Sequence, residues 1–259
     1  MSAMLDHVVA QVLALQVRLL ACRERLAADT DSEALHDLRI GVRRLRSVLR
    51  PLAGLPGVEQ LEAAAKALGT LTTPLRDREV LAGELLRRGL ADAGQRRLQG
   101  RTATFASVAA SPQLGRVLSI LDAFPLFLRA AGREGLAKAL GKRVDKRLVK
   151  QWRKLHEALQ DPAHDRHRLR LLIKRVRYGD QAYPQLDHAG KRLQGLLKKA
   201  QGDLGAWHDH LQWVLQAQAQ ADLAPCKVDW EQELHDAERT ADVTLDALLA
   251  ALERRKPGK

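Results

Sequence analysis

The chain has 259 residues, with 43 Lys and Arg against 31 Asp and Glu and a formal net charge of +12. An apolar share of 46% excludes a disordered basic tail, because it supports a buried core beside the excess charge. Aromatic residues reach only 3%, too few for ranks of base-stacking side chains, and 9 prolines and 18 glycines exclude a low-complexity or fibrous protein.

Helix formers dominate and β-branched runs are absent, so the fold is expected to be all-α. In chain order, apolar periodicity and proline punctuation predict helices over 4–28, 32–52, 58–70, 75–92, 94–109, 112–131, 133–160, 163–183, 186–203, 207–222 and 228–255. Thr30-Asp31-Ser32-Glu33 reads as a capping box. Ser111-Pro112 and Asp161-Pro162 each read as an N-cap followed by proline at the first helical position. Pro56-Gly57, Pro74, Pro184 and Pro225 mark further breaks. Short connections predict antiparallel bundles.

The N-terminal stretch has Asp6 where a signal peptide needs lysines, and its apolar residues recur with helical spacing. The stretch expected to be most apolar, Val117 to Leu128, contains Asp122 and Pro125, so no membrane span is expected. Cys22 and Cys226 lie far apart, without metal-ligand spacing, and read as thiols of a reducing compartment. These features together predict a cytoplasmic protein.

An internal repeat is the most informative feature. Residues 36–46 read HDLRIGVRRLR and residues 167–177 read HRLRLLIKRVR, an offset of 131. Downstream, Lys66 and Arg76-Asp77 correspond to Lys198 and His208-Asp209 at an offset of 132. Duplication of a unit of about 130 residues follows, with halves of about 1–125 and 126–255 in a single domain covering 1–259. The expected architecture is two pseudo-symmetric antiparallel helical bundles around a central basic groove or pore.

On a helix, His36, Arg39, Arg43, Arg46 and Arg50 share an arc of about 80°. Leu35, Leu38, Val42, Leu45 and Leu49 keep the same spacing one position earlier. The cation stripe therefore borders the apolar face, where a solvated face would oppose it. His167, Arg170, Lys174 and Arg177 repeat the pattern beside Leu169, Ile173 and Val176. Like charges one turn apart repel, so each stripe is unfavourable unless an anion or a neighbouring carboxylate neutralises it. Asp77 and Asp209 are candidate carboxylates; phosphate oxygens are the alternative, well matched to arginine forks.

Arg44 and Arg175 lie about 100° off the stripes and are secondary candidates, as are Arg50, Lys138, Lys142 and Lys198. Residues 133–154 hold nine Lys or Arg against Glu134 and Asp145, with Leu140, Val144, Leu148, Trp152 and Leu155 as a buried stripe. There Lys138, Lys142 and Lys146 are expected to step along one face, and Lys191, Arg192 and Lys199 add charge near the second motif.

His36-x-x-Arg39-x-x-x-Arg43-Arg44-x-Arg46 and His167-x-x-Arg170-x-x-x-Lys174-Arg175-x-Arg177-Tyr178 resemble the signature helices of the CHAD family, the conserved-histidine α-helical domains. Arg76-Asp77 and Leu204-Gly205-Ala206-Trp207-His208-Asp209 resemble that family's downstream LG-x-x-(basic)-Asp pattern, and the likeness extends over roughly 5–250. The resemblance implies two helical bundles around a basic pore that binds inorganic polyphosphate, with some members associated with polyphosphate granules. In the first copy Thr72-Thr73 replaces the expected Leu-Gly step, although Leu68-Gly69 lies just upstream. No acidic Glu-x-Glu-x-Lys segment is present, so no fused triphosphate-tunnel phosphohydrolase is expected.

The expected function is non-catalytic binding of polyphosphate or another phosphate-rich polyanion. His36, Arg39, Arg43, Arg46, His167, Arg170, Lys174 and Arg177 are the expected ligands. Nucleic-acid binding is the alternative, disfavoured by scarce aromatics and by a stripe at the edge of a packed face. His208-Asp209-His210 and His164-x-x-His167 suggest a metal site only weakly, because no dense carboxylate cluster accompanies them. No Walker-type loop, nucleophile elbow or carboxylate pair appears, so no catalytic residue, metal or cofactor is expected.

Overall fold

A computed structural model describes residues 3–161, 163 and 165–254, and the described residues are helical throughout, with no strand. The helices are α1 (Ala3–Ala27), α2 (Ala34–Leu49), α3 (Val58–Arg87), α4 (Ala91–Leu98), α5 (Arg101–Ala109), α6 (Pro112–Arg133), α7 (Leu140–Gln160), α8 (Arg166–Ala182), α9 (Gly190–Ala219) and α10 (Lys227–Glu253). Short 3₁₀ turns cover Arg50–Leu52, Pro184–Leu186 and Ala221–Cys226.

Two expected breaks are bridged. Pro74 lies inside the 30-residue α3, where the predicted helices 58–70 and 75–92 are one. Proline removes one ladder bond there, but Leu61, Leu68, Thr72, Leu81 and Leu85 bury a continuous face on both sides of it. Similarly, 186–203 and 207–222 join as α9, because burial of Leu204 and Trp207 outweighs the weak helix propensity of Gly202 and Gly205.

Other ends also differ. Residues 94–109 divide at Gly100, which sits at φ 72° between α4 and α5. The predicted helix 133–160 begins only at Leu140, after turns over 134–139, so Lys138 precedes α7 and does not share a helical face with Lys142 and Lys146. Ser111 caps α6 as expected, its Oγ accepting from the Leu114 amide. Asp165, not Asp161, caps α8, accepting from the His167 and Arg168 amides at 2.8 and 3.2 Å. Pro162 and His164 lie outside the described residues.

No capping box forms before α2. Glu33 occupies the cap without a side-chain bond, and the Asp31 carboxylate is held by Arg25 Nε and Nη2 at 2.8 and 2.7 Å. The same carboxylate also accepts from the Glu33 amide at 2.9 Å, so Asp31 is shared between the guanidinium fork and the start of α2.

The chain divides into two compact units, Met1–Val144 and Asp145–Lys259, with the boundary inside α7. In unit 1, α1 packs on α2, α5 and α6, while α3 packs on α2, α4 and α6. By length and composition α1 could cross a membrane, which displaces Val117–Leu128 as the most apolar stretch. Its stripe Leu5, Val8, Val9, Val12, Leu15, Leu19, Cys22 and Leu26 is nevertheless buried in the core of the unit. In unit 2, α9 packs on α8 and α10. Its core joins Trp152 and Leu155 of α7, Leu169, Ile173 and Val176 of α8, Leu193, Leu197, Leu204 and Trp207 of α9, and Leu245 and Leu248 of α10. Cys22 and Cys226 are both buried thiols.

Candidate anion-binding site

In unit 1 the apolar arc of α2 is buried as its spacing requires: Leu35, Leu38, Val42, Leu45 and Leu49 are all core residues. That rotation leaves His36, Arg39, Arg43, Arg46 and Arg50 half-buried along the edge, with Arg44 exposed. The stripe then meets α3. Arg39 Nη1 donates to the Gly69 carbonyl at 3.2 Å and to Thr72 and Thr73 Oγ1 at 3.0 and 3.1 Å. Burial opposes the charge on Arg39, while the Asp77 carboxylate supports it. Burial and the nearby Arg76 push the His36 imidazole below its ordinary proton affinity, and Arg43 adds to this.

The far end of that stripe is neutralised. Arg46 Nε and Nη2 both reach Glu62 Oε1, at 2.9 and 2.8 Å, and Arg50 Nε approaches the same oxygen at 3.5 Å. Arg76 pairs with Glu79 at 3.1 Å.

In unit 2, α8 and α9 carry the second motif. Leu169, Ile173 and Val176 are buried; Arg170, Lys174 and Arg177 are half-buried at the edge, and His167 and Arg175 are exposed. His208 of α9 lies against this stripe, its ring centroid 5.4 Å from that of His167. Burial pushes its proton affinity down to about 4, with Arg170, His167 and Lys174 all acting in the same direction. A positive potential is therefore concentrated at one half-buried imidazole.

One turn further along α8, the Arg177 guanidinium donates to Gln201 Oε1 at 2.8 Å and lies 5.3 Å from the Tyr178 ring centroid. With Lys191 and Lys198 it lines a cavity of about 530 Å³, whose wall also includes Asp180, Gln181 and Gln194. Lys198 thus joins the α8 stripe at this cavity, whereas in unit 1 Lys142 is exposed on α7 and Arg143 donates to the Ala53 carbonyl at 3.3 Å.

A family model for the CHAD domain matches residues 10–220. The chain belongs to the CHAD family. Among solved structures, the crystal structure of the CHAD domain from the plant Ricinus communis matches with a TM-score of 0.73 at 23% identity, covering 100% of this chain and 94% of that one. No curated protein matches the chain.

The histidine-rich segment of this CHAD domain does not act as one cluster. His208 points to the α8 stripe, whereas His210 Nε2 meets Glu233 of α10 at 3.0 Å and its Nδ1 meets the Ala206 carbonyl at 2.8 Å. Among the described residues no three His, Cys, Asp or Glu side chains converge as metal ligands. His164 of the His164-x-x-His167 pair lies outside the described residues.

Three residues absent from the expected ligand set bear directly on the stripes of this CHAD domain: Arg76, His208 and Glu62. The first two are the downstream partners found at the offset of 132, which was itself the signal for them. Glu62 carries no motif; only the packing of α2 on α3 brings it to Arg46.

Proposed function

We propose that this CHAD protein binds inorganic polyphosphate, or a closely similar phosphate-rich polyanion, through the cation stripes of α2 and α8 and without catalysing a reaction on it. Polyphosphate binding is known for the family in general. The observation that carries the reading is the gathering of basic side chains on the α8 edge, where half-buried His208 lies 5.4 Å from the His167 ring and beside Arg170 and Lys174. A linear polyanion relieves the repulsion among them at several points at once, as phosphate oxygens accept from arginine forks and lysine ammonium groups. The primary ligands of this reading are His36, Arg39, Arg43, Arg46, His167, Arg170, Lys174 and Arg177. Arg44, Arg50, Lys138, Lys142, Arg175 and Lys198 supply longer-range attraction. A cytoplasmic site of action, at polyphosphate granules, belongs to the same proposal.

The test is a titration with long-chain sodium polyphosphate at several salt concentrations, beside the double variant Arg43→Ala with Lys174→Ala. Tight binding that weakens steeply with salt, and that the folded variant loses by at least about tenfold, supports the reading. Binding unchanged in the variant overturns it, as does preference for duplex DNA at equal phosphate concentration. Phosphate release from the polymer on adding a divalent metal overturns its non-catalytic part.

A further inference from the structure

His208 stands where the first copy has a permanent cation, Arg76, one repeat offset earlier. Each of these side chains reaches a stripe: Arg76 acts on His36 and Arg39, and His208 lies beside His167, Arg170 and Lys174. The exchange replaces a fixed charge by a conditional one.

The surroundings of His208 leave that charge to be set by a ligand. Its Nδ1 is buried and has no hydrogen-bond partner among the described residues. From α8 the facing groups are His167, Arg170 and Lys174. On α9 itself Asp209 follows next in sequence and has a partner of its own. The acidic groups of α10 nearest this segment also have partners: Glu238 accepts from Trp207 Nε1 at 3.3 Å and meets Arg166, and Glu233 meets His210.

We infer that His208 is an additional ligand for the anion bound on α8, and that it engages that anion as the imidazolium, taking up a proton on binding. The inference rests on the polyanion reading above, and it makes binding on the α8 stripe of unit 2 proton-linked. Without a ligand, three cationic or basic neighbours and burial favour neutral His208. A phosphate chain along Arg170 and Lys174 reverses the sign of the local potential and supplies acceptor oxygens, so the protonated ring becomes the favoured form.

The sign of the linkage follows directly. The proton affinity of His208 is low without ligand and rises when the anion binds, so affinity increases as pH falls through the bound value. It increases by at most about tenfold per pH unit and levels off below the unliganded value of about 4. In the first copy the Arg76 contact is constant over the same range.

The experiment uses the intact protein with long-chain sodium polyphosphate as the probe. Affinity is measured from pH 5 to 8 at constant ionic strength for the wild type, His208→Arg and His208→Gln. The NMR titration of the His208 ring is followed with and without polyphosphate. The expected result is a His208 titration midpoint that moves up by at least one pH unit on binding. His208→Arg should then bind as tightly at pH 8 as the wild type does at low pH, with a shallower pH dependence. Tight binding with an unmoved His208 midpoint, or equal pH slopes in wild type and His208→Arg, overturns this inference and leaves the polyanion reading standing. Absence of polyphosphate binding at every pH overturns both.

Discussion

Arg46 directs both Nε and Nη2 at a single carboxylate oxygen of Glu62, at 2.9 and 2.8 Å, an ion pair of the α2 stripe that is internal to unit 1. At the corresponding place, 132 residues later, the chain has Gln194, on the wall of the cavity that Arg177 lines. A neutral amide adds no negative charge beside Arg177 and Lys198, whereas Glu62 cancels much of the positive potential of Arg46 and Arg50.

Glu62→Gln should therefore raise affinity for polyphosphate severalfold at low salt, with the gain disappearing as salt rises. The same change should lower stability by only about 1 kcal/mol, because the pair is partly solvated. Salt-dependent titration and urea unfolding check both parts. A loss of affinity would show that Arg46 needs Glu62 for its placement.

Arg39 depends on α3 for its hydrogen bonds. Thr72→Val with Thr73→Val removes both hydroxyl acceptors and leaves a half-buried guanidinium with the Gly69 carbonyl as its remaining acceptor in that segment. The expected loss is about 1–3 kcal/mol in denaturant unfolding. Serine at both positions, which keeps the acceptors, should recover most of it.

His208 should make the unliganded protein acid-sensitive. The unfolded side chain titrates near 6.5 and the folded one near 4, so between these values the unfolded chain binds more protons. Stability must fall as pH decreases from about 6.5 to about 4, and His208→Gln should flatten that decline. His36, shifted the same way, leaves a residual slope. Urea midpoints of the two proteins across this interval give the comparison.

Asp31 behaves in the opposite sense. Arg25 holds its carboxyl down to about 2 from an ordinary 3.8, so the stability it contributes is present above about 3.8 and lost as pH falls toward 2. In Asp31→Asn the acid limb of the stability curve should be shallower, and the difference from wild type should shrink as pH falls from about 3.8 to about 2. Thermal melts in low-ionic-strength buffer give the clearest readout.

Local pattern made α2 and α8 readable before any packing was known. An apolar arc one position behind a cation arc can be buried in only one rotation, and that rotation puts the cations at the edge. Leu35, Leu38 and Leu45, like Ile173 and Val176, are buried accordingly, and the Ser111 cap follows from a hydrogen bond made within one turn. The breaks at Pro74 and around Gly205 were misleading for the opposite reason. A punctuation residue removes a single bond or a fraction of a kcal/mol of propensity, and burial of long apolar faces over α3 and α9 exceeds it.

The sequence by itself determined the helical class, the family, the placement of two basic stripes and the offset that pairs Arg76 with His208. Each of those is encoded in the spacing or identity of residues along the chain. Tertiary structure alone decided how each charge is balanced. Arg46 and Arg50 meet Glu62 of α3, Arg25 forks onto Asp31 ahead of α2, and His208 comes to rest against Arg170 and Lys174. Coulomb interactions depend on distance through space, and helix packing sets those distances between residues that no periodicity connects.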